Sequence, residues 1–117
     1  MNSYKELTVW QKSIELVTAI YKLTEQFPKS EIFGLTSQIK RSAVSIPSNI
    51  AEGFNRKSRL EYAHFIRIAF GSGAELETQI LIAKKLKFIN ETSYNQIDAL
   101  LTEVMKMLNK LISALKS

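Results

Sequence analysis

No cysteine occurs among the 117 residues, so disulfides, thiol catalysis and cysteine-based metal sites are excluded. Glycine and proline are scarce, at 4 and 2, which argues against a turn-rich all-β fold. No uninterrupted apolar run approaches the ~20 residues that a membrane-crossing helix needs. The start, MNSYKELTVWQK, has no apolar stretch of the kind that marks a secretory leader. These absences lead to the expectation of a cytoplasmic protein without a membrane partner. What is present is a 45% apolar fraction, enough for one core, in a chain whose length fits a single domain over residues 1–117. Lys and Arg number 16 against 11 Asp and Glu, a net charge of +5 that is compatible with a polyanionic partner.

The apolar residues recur with helical period in four segments. The first begins near Thr8, where Thr8 and Gln11 have the T-x-x-Q spacing of a capping box. Trp10, Ile14, Val17 and Tyr21 mark its stripe, with Leu16, Ile20 and Phe27 beside it, and Pro28 ends it. The second runs from about Leu35 to Glu52 on Leu35, Ile39, Ala43, Ile46 and Ile50. That stripe passes straight through Pro47, so the proline is read as helical, removing the bond to the Ala43 carbonyl and kinking the axis. Asn49 is expected to bind the carbonyl that Pro47 releases, or else a neighbouring group. Gly53 is the expected stop.

Ser58 and Glu61 start the third helix as S-x-x-E, and its seam is Tyr62, Ile66, Ala69, Gly73, Leu76, Ile80 and Ala83 in four-three alternation to about Lys87. Gly71 and Gly73 within it point to close packing. Ser93 and Gln96 form a third capping pair before the fourth helix, about Tyr94 to Leu115, with Ile97, Leu101, Val104, Leu108, Leu111 and Leu115 inward. No strand pattern appears. The expected fold is all-α, an up-down-up-down antiparallel four-helix bundle.

The second and third helices carry more apolar or small surface than one bundle covers. Val44, Ser45, Ser48 and Ala51 leave the back of the second helix small-sided, and the third adds Phe70 and Ala74, with Leu60, Ala63 and Leu81, outside its seam. These faces predict a homo-oligomer with Val44, Ser45, Ser48, Ala51, Phe70 and Ala74 at the contact.

No constellation for chemistry is present. Glu61 to His64 reads E-x-x-H, but a di-iron bundle needs two such pairs, and His64 is the only histidine. There is no phosphate-cradling glycine loop and no nucleophile elbow. The reading is therefore a protein that is not an enzyme, with no metal and no cofactor. The basic residues remain. Arg56, Lys57 and Arg59 form a corner after the second helix, Lys40 and Arg41 precede it on that helix, and Arg67 follows on the third. Lys84, Lys85 and Lys87 suit the negative end of the third helix.

VWQK (Val9 to Lys12), FGLTSQIKRSAVSIPSNIAEG (Phe33 to Gly53) and AELETQ (Ala74 to Gln79) resemble the bacterial 23S rRNA intervening-sequence proteins. That family resembles, in turn, the accessory variability proteins of diversity-generating retroelements. The resemblance implies a four-helix bundle, assembly as a pentameric ring, and no catalytic activity. The retroelement relatives imply binding to nucleic acid and to a protein partner through basic surfaces. Two functional expectations follow. The first is an oligomeric bundle that binds RNA or DNA non-specifically through Arg56, Lys57 and Arg59, assisted by Lys40, Arg41 and Arg67. The alternative is a protein-interaction scaffold that presents an oligomeric surface to a partner protein.

Overall fold

Helical period and capping chemistry divide the chain as the apolar pattern predicts. The structure, a computed structural model, describes residues 2–116. Four helices follow one another: α1 (Thr8–Thr24), α2 (Leu35–Phe54), α3 (Arg59–Lys85) and α4 (Glu91–Lys116). Short 3-10 turns at Tyr4–Glu6 and Lys29–Glu31 precede α1 and α2. Each helix packs on the two beside it, α1 on α2 and α4, α3 on α2 and α4. The diagonal pairs make no backbone contact among the described residues. The result is a four-helix bundle of 43 × 24 × 20 Å, its long axis set by the 27 residues of α3.

The core is aliphatic. Leu16 and Ile20 of α1, Ile39, Ile46 and Ile50 of α2, Ile66, Leu76 and Ile80 of α3, and Leu101, Val104 and Leu108 of α4 are fully enclosed. Each such side chain contributes about 1.5–3 kcal/mol on burial. The stripes read for α2 and α3 are these buried faces. In α4 the stripe drifts at its end, where Ile112 is buried and Leu111 and Leu115 are half-buried.

In α1 the inward face differs from the sequence expectation. Val9, Ser13, Leu16, Ile20 and Leu23 point inward, followed by Phe27, whereas Ile14 and Tyr21 are exposed and Trp10 and Val17 half-buried. The two stripes have the same four-three spacing. Only the one through Leu16, Ile20 and Leu23 continues to Phe27, which meets Phe88 at the far end of the bundle with ring centroids 5.6 Å apart.

The helix ends also separate prediction from observation. Ser58 caps α3, its Oγ accepting the Glu61 N–H at 3.1 Å. Thr8 is instead the first residue of α1, whose cap Leu7 has no side-chain bond, and the Gln11 side chain donates to the Lys5 carbonyl. Before α4 it is Asn90, not Ser93, that accepts: its Oδ1 takes the Ser93 N–H at 2.8 Å. Pro47 lies inside α2 and is buried, and Asn49 binds the Ser45 carbonyl at 2.8 Å and the Ser45 hydroxyl at 2.9 Å, which is the neighbour alternative. Gly53 does not stop α2. It is buried in the last turn, where an added Cβ would lie 2.8 Å from the Phe65 Cβ and 3.1 Å from the Tyr62 carbonyl oxygen. Gly53 thus lets α2 and α3 meet closely at their shared corner.

Candidate nucleic-acid interface

The corner between α2 and α3 is built on that contact. Arg56 follows α2 and folds back over it. Its guanidinium pairs with Glu52 at 3.2 Å and lies 4.7 Å from the centre of the Phe65 ring. Sequence reasoning expected Gly53 to break this i,i+4 pair; because the helix continues to Phe54, the pair forms. Arg59 opens α3 and donates to the Ala114 carbonyl at 2.7 Å, satisfying an acceptor in the last turn of α4. Both side chains remain exposed. Lys57 is exposed between them and forms no ion pair with Glu61 among the described residues. Arg67 is exposed eight residues further along α3 from Arg59, about 12 Å at 1.5 Å per residue.

Lys40 and Arg41 lie toward the other end of α2. Phe54, the last residue of α2, is 14 residues beyond Lys40, which places the corner about 21 Å away along the helix axis. The Lys40 ammonium sits 4.8 Å from the centre of the Tyr21 ring on α1, and Arg41 is exposed beside it. The structure therefore brings Arg56, Lys57 and Arg59 together, sets Arg67 beyond them, and keeps Lys40 and Arg41 as a second basic patch. Among the described residues only Lys12, Arg56 and Lys84 form ion pairs with carboxylates, so most of the positive charge faces solvent unneutralised.

The six residues read as a self-association surface divide between two sides. Val44, Ser48 and Ala51 border a groove against Trp10, Ile14 and Val17 of α1, with Pro47 at its floor. Val44 also borders a second hollow with Tyr21, Ile32 and Phe33, so the apolar surface is continuous along α1 and α2. Phe33 is 97% exposed, an unusual position for a phenyl ring. Ser45 is half-buried and turned toward α3, its Oγ 2.8 Å from the Ser72 Oγ. Phe70 is half-buried on the α4 side of α3, one turn from Gly73, which faces Met105; Ala74, next to Gly73, is exposed. Sequence reasoning missed Trp10, Ile14, Tyr21 and Phe33 as surface residues. Two equal stripes on α1 were the available signal, since a helix in a bundle buries only one of them.

Glu61 and His64 do not build a metal site. Glu61 lies at the α3 cap, His64 rests edge-on against Phe65 with ring centroids 5.5 Å apart, and no cluster of metal-binding side chains occurs among the described residues. No helix of the described residues is long and apolar enough to cross a membrane.

Against known families, the model of the 23S rRNA-intervening sequence protein matches residues 5–110. The chain belongs to that family. Among solved structures it is similar to a protein of unknown function from the S23 ribosomal protein family of Bacteroides thetaiotaomicron VPI-5482. The two share 28% identity at a TM-score of 0.84, over 90% of this chain and 98% of that one. The comparison with curated proteins gave no match. At its TM-score of 0.84 the solved neighbour shares the four-helix architecture.

Proposed function

We propose that the chain is a non-enzymatic, self-associating bundle that binds RNA or DNA through phosphate contacts with little sequence preference. The observation that carries this reading is the exposed positive charge gathered at one corner by Arg56, Lys57 and Arg59, of which Arg56 is paired with Glu52 and the other two form no ion pair among the described residues. The Arg56 guanidinium is positioned by the Phe65 ring and the Arg59 guanidinium by the Ala114 carbonyl, and each has further N–H groups that a phosphate could accept from. Self-association repeats the corner in every subunit, so that weak contacts add along one polyanion. The resemblance to family members that form pentameric rings supports that assembly.

Replacing Arg56, Lys57 and Arg59 together by Ala tests the assignment. Affinity for a structured RNA is expected to fall, with the slope of log affinity against log salt reduced by about one for each phosphate contact removed. Unchanged affinity and slope in a variant of native helix content would reject the corner. A second reading, a scaffold for a partner protein, is favoured by the exposed apolar groove of α1 and α2. Capture from a lysate before and after nuclease treatment separates the two, because a protein partner survives nuclease and one bridged by nucleic acid does not.

A further inference from the structure

Part of the boundary between α2 and α3 is polar. The helices are antiparallel, and their register sets Ser45 against Ser72 and Ser42 against Glu75, with hydroxyl contacts of 2.8 and 3.2 Å. The same register carries Gln38 toward Gln79. Here the seam opens into a cleft of about 410 Å³ lined by Gln38, Arg41, Ser42, Ser45, Glu75 and Gln79. That volume lies within the range of about 300–1,000 Å³ typical of small-ligand sites.

Gln79 is the informative residue. It is 7% exposed, and its Oε1 is enclosed without a hydrogen-bond partner. Buried amides are nearly always paired, so one left unpaired beside a polar cleft is a group that a ligand or an ordered water would satisfy. Glu75 adds a second acceptor, whose Oε1 takes the Ser42 hydroxyl and leaves further lone pairs open. Arg41 supplies an exposed cation at the rim, outside the ion pairs of the described residues.

We propose that this cleft binds an adenine nucleotide, with the Gln79 amide on the base edge and Arg41 on the phosphate. A side-chain amide presents a donor beside an acceptor, and adenine presents N6–H and N7 in the complementary order, the pairing that Gln makes with adenine elsewhere. The two N–H bonds of N6 serve Gln79 and Glu75 together. Uracil and guanine carry a carbonyl where adenine carries this amino group, and the Glu75 carboxylate repels it. Contact with the base requires a change of the Gln79 side-chain rotamer that turns the enclosed Oε1 toward the cleft it lines. The nucleotide is either free or an unpaired residue of an RNA strand; the second case rests on the nucleic-acid reading above and deepens it.

The test is titration calorimetry with AMP, adenosine, GMP and UMP, alongside labelled oligo(A) and oligo(U). Wild type is compared with Gln79→Met, which keeps length and loses the hydrogen bonds, and with Arg41→Ala on the exposed rim. AMP is expected to bind at least about tenfold more tightly than GMP or UMP, the scale of one bidentate base contact. Gln79→Met should remove that preference, and Arg41→Ala should weaken AMP while leaving adenosine unchanged. Equal binding of AMP and UMP, or a folded Gln79→Met with unaltered AMP affinity, would overturn the pocket and leave a hydrated seam. Salt-sensitive binding of oligo(A) and oligo(U) to the same extent would discard the pocket and keep the phosphate reading. Binding of AMP with neither oligomer bound would keep the pocket and discard the RNA reading.

Discussion

Single residues show how local geometry sets the sign of a substitution. Gly53 and Gly71 both lie within helices, yet their surroundings differ. Nothing lies within 4 Å of a Cβ added at Gly71, whereas at Gly53 it would meet the Phe65 Cβ and the Tyr62 carbonyl. Gly71→Ala is therefore expected to stabilise the fold by about 0.5–1 kcal/mol, and Gly53→Ala to destabilise it, as urea unfolding would show. The sequence marked Gly71 and Gly73 alike as signs of close packing. Only Gly73, beneath Met105, has that reason, because which side of α3 meets α4 is decided by tertiary packing. Two further side chains act at alkaline pH. Burial raises the Tyr62 phenol above its ordinary value of 10.0, and the Glu103 and Glu15 carboxylates raise the half-buried Lys12 above its ordinary 10.5. In both cases the folded chain holds its proton longer than the unfolded one. Their stabilising contributions are complete below the unfolded values and are lost as pH rises through the folded ones. Melting temperature should fall above about pH 10, and Tyr62→Phe should make that fall shallower.

At the scale of the element, helix ends decide what the sequence can and cannot disclose. Three S/T-x-x-E/Q spacings look equivalent, and one, at Ser58, forms the expected cap. Before α4 the chain offers both Asn90 and Ser93; because the helix begins at Glu91, the cap falls to Asn90. Asn90→Ala should cost about 1 kcal/mol and Ser93→Ala less than about 0.5, in matched denaturant titrations. The end of α3 carries a cost of its own. Lys87 has a φ of 67°, the Lys87 N–H bonds the Lys84 carbonyl, and the Phe88 N–H bonds the Ala83 carbonyl, both at 2.9 Å. This is the left-handed C-terminal motif that glycine normally fills. Lys87→Gly should raise stability by about 1 kcal/mol. In α1, the stripe through Trp10, Ile14, Val17 and Tyr21 and the one through Leu16, Ile20, Leu23 and Phe27 are indistinguishable by period. The bundle buries the second, exposes Ile14 and Tyr21 of the first and leaves its Trp10 and Val17 half-buried.

The whole molecule was the most legible, since four periodic segments with short connections admit few arrangements other than the bundle observed. The candidate surfaces were legible only as residue types. Lys40 and Arg41 lie on α2, about 21 Å before the end that leads into the corner, a separation that follows from helix rise once α2 is known to be unbroken. The polar cleft was not legible, because it depends on the register of α2 against α3, which apolar periodicity leaves free. The proposed self-association belongs to this scale too. Ala51 borders the α1/α2 groove, so Ala51→Arg should shift the light-scattering mass toward the monomer while circular dichroism stays unchanged. A variant that keeps its mass would remove that groove from the contact. The proposed function rests on phosphate binding by exposed positive charge, and one measurement addresses it most directly: the fluorescence anisotropy of a labelled structured RNA titrated with the protein at several salt concentrations. Affinity that falls linearly on a log–log scale as salt rises is the predicted result. An absence of binding even at low salt would contradict it.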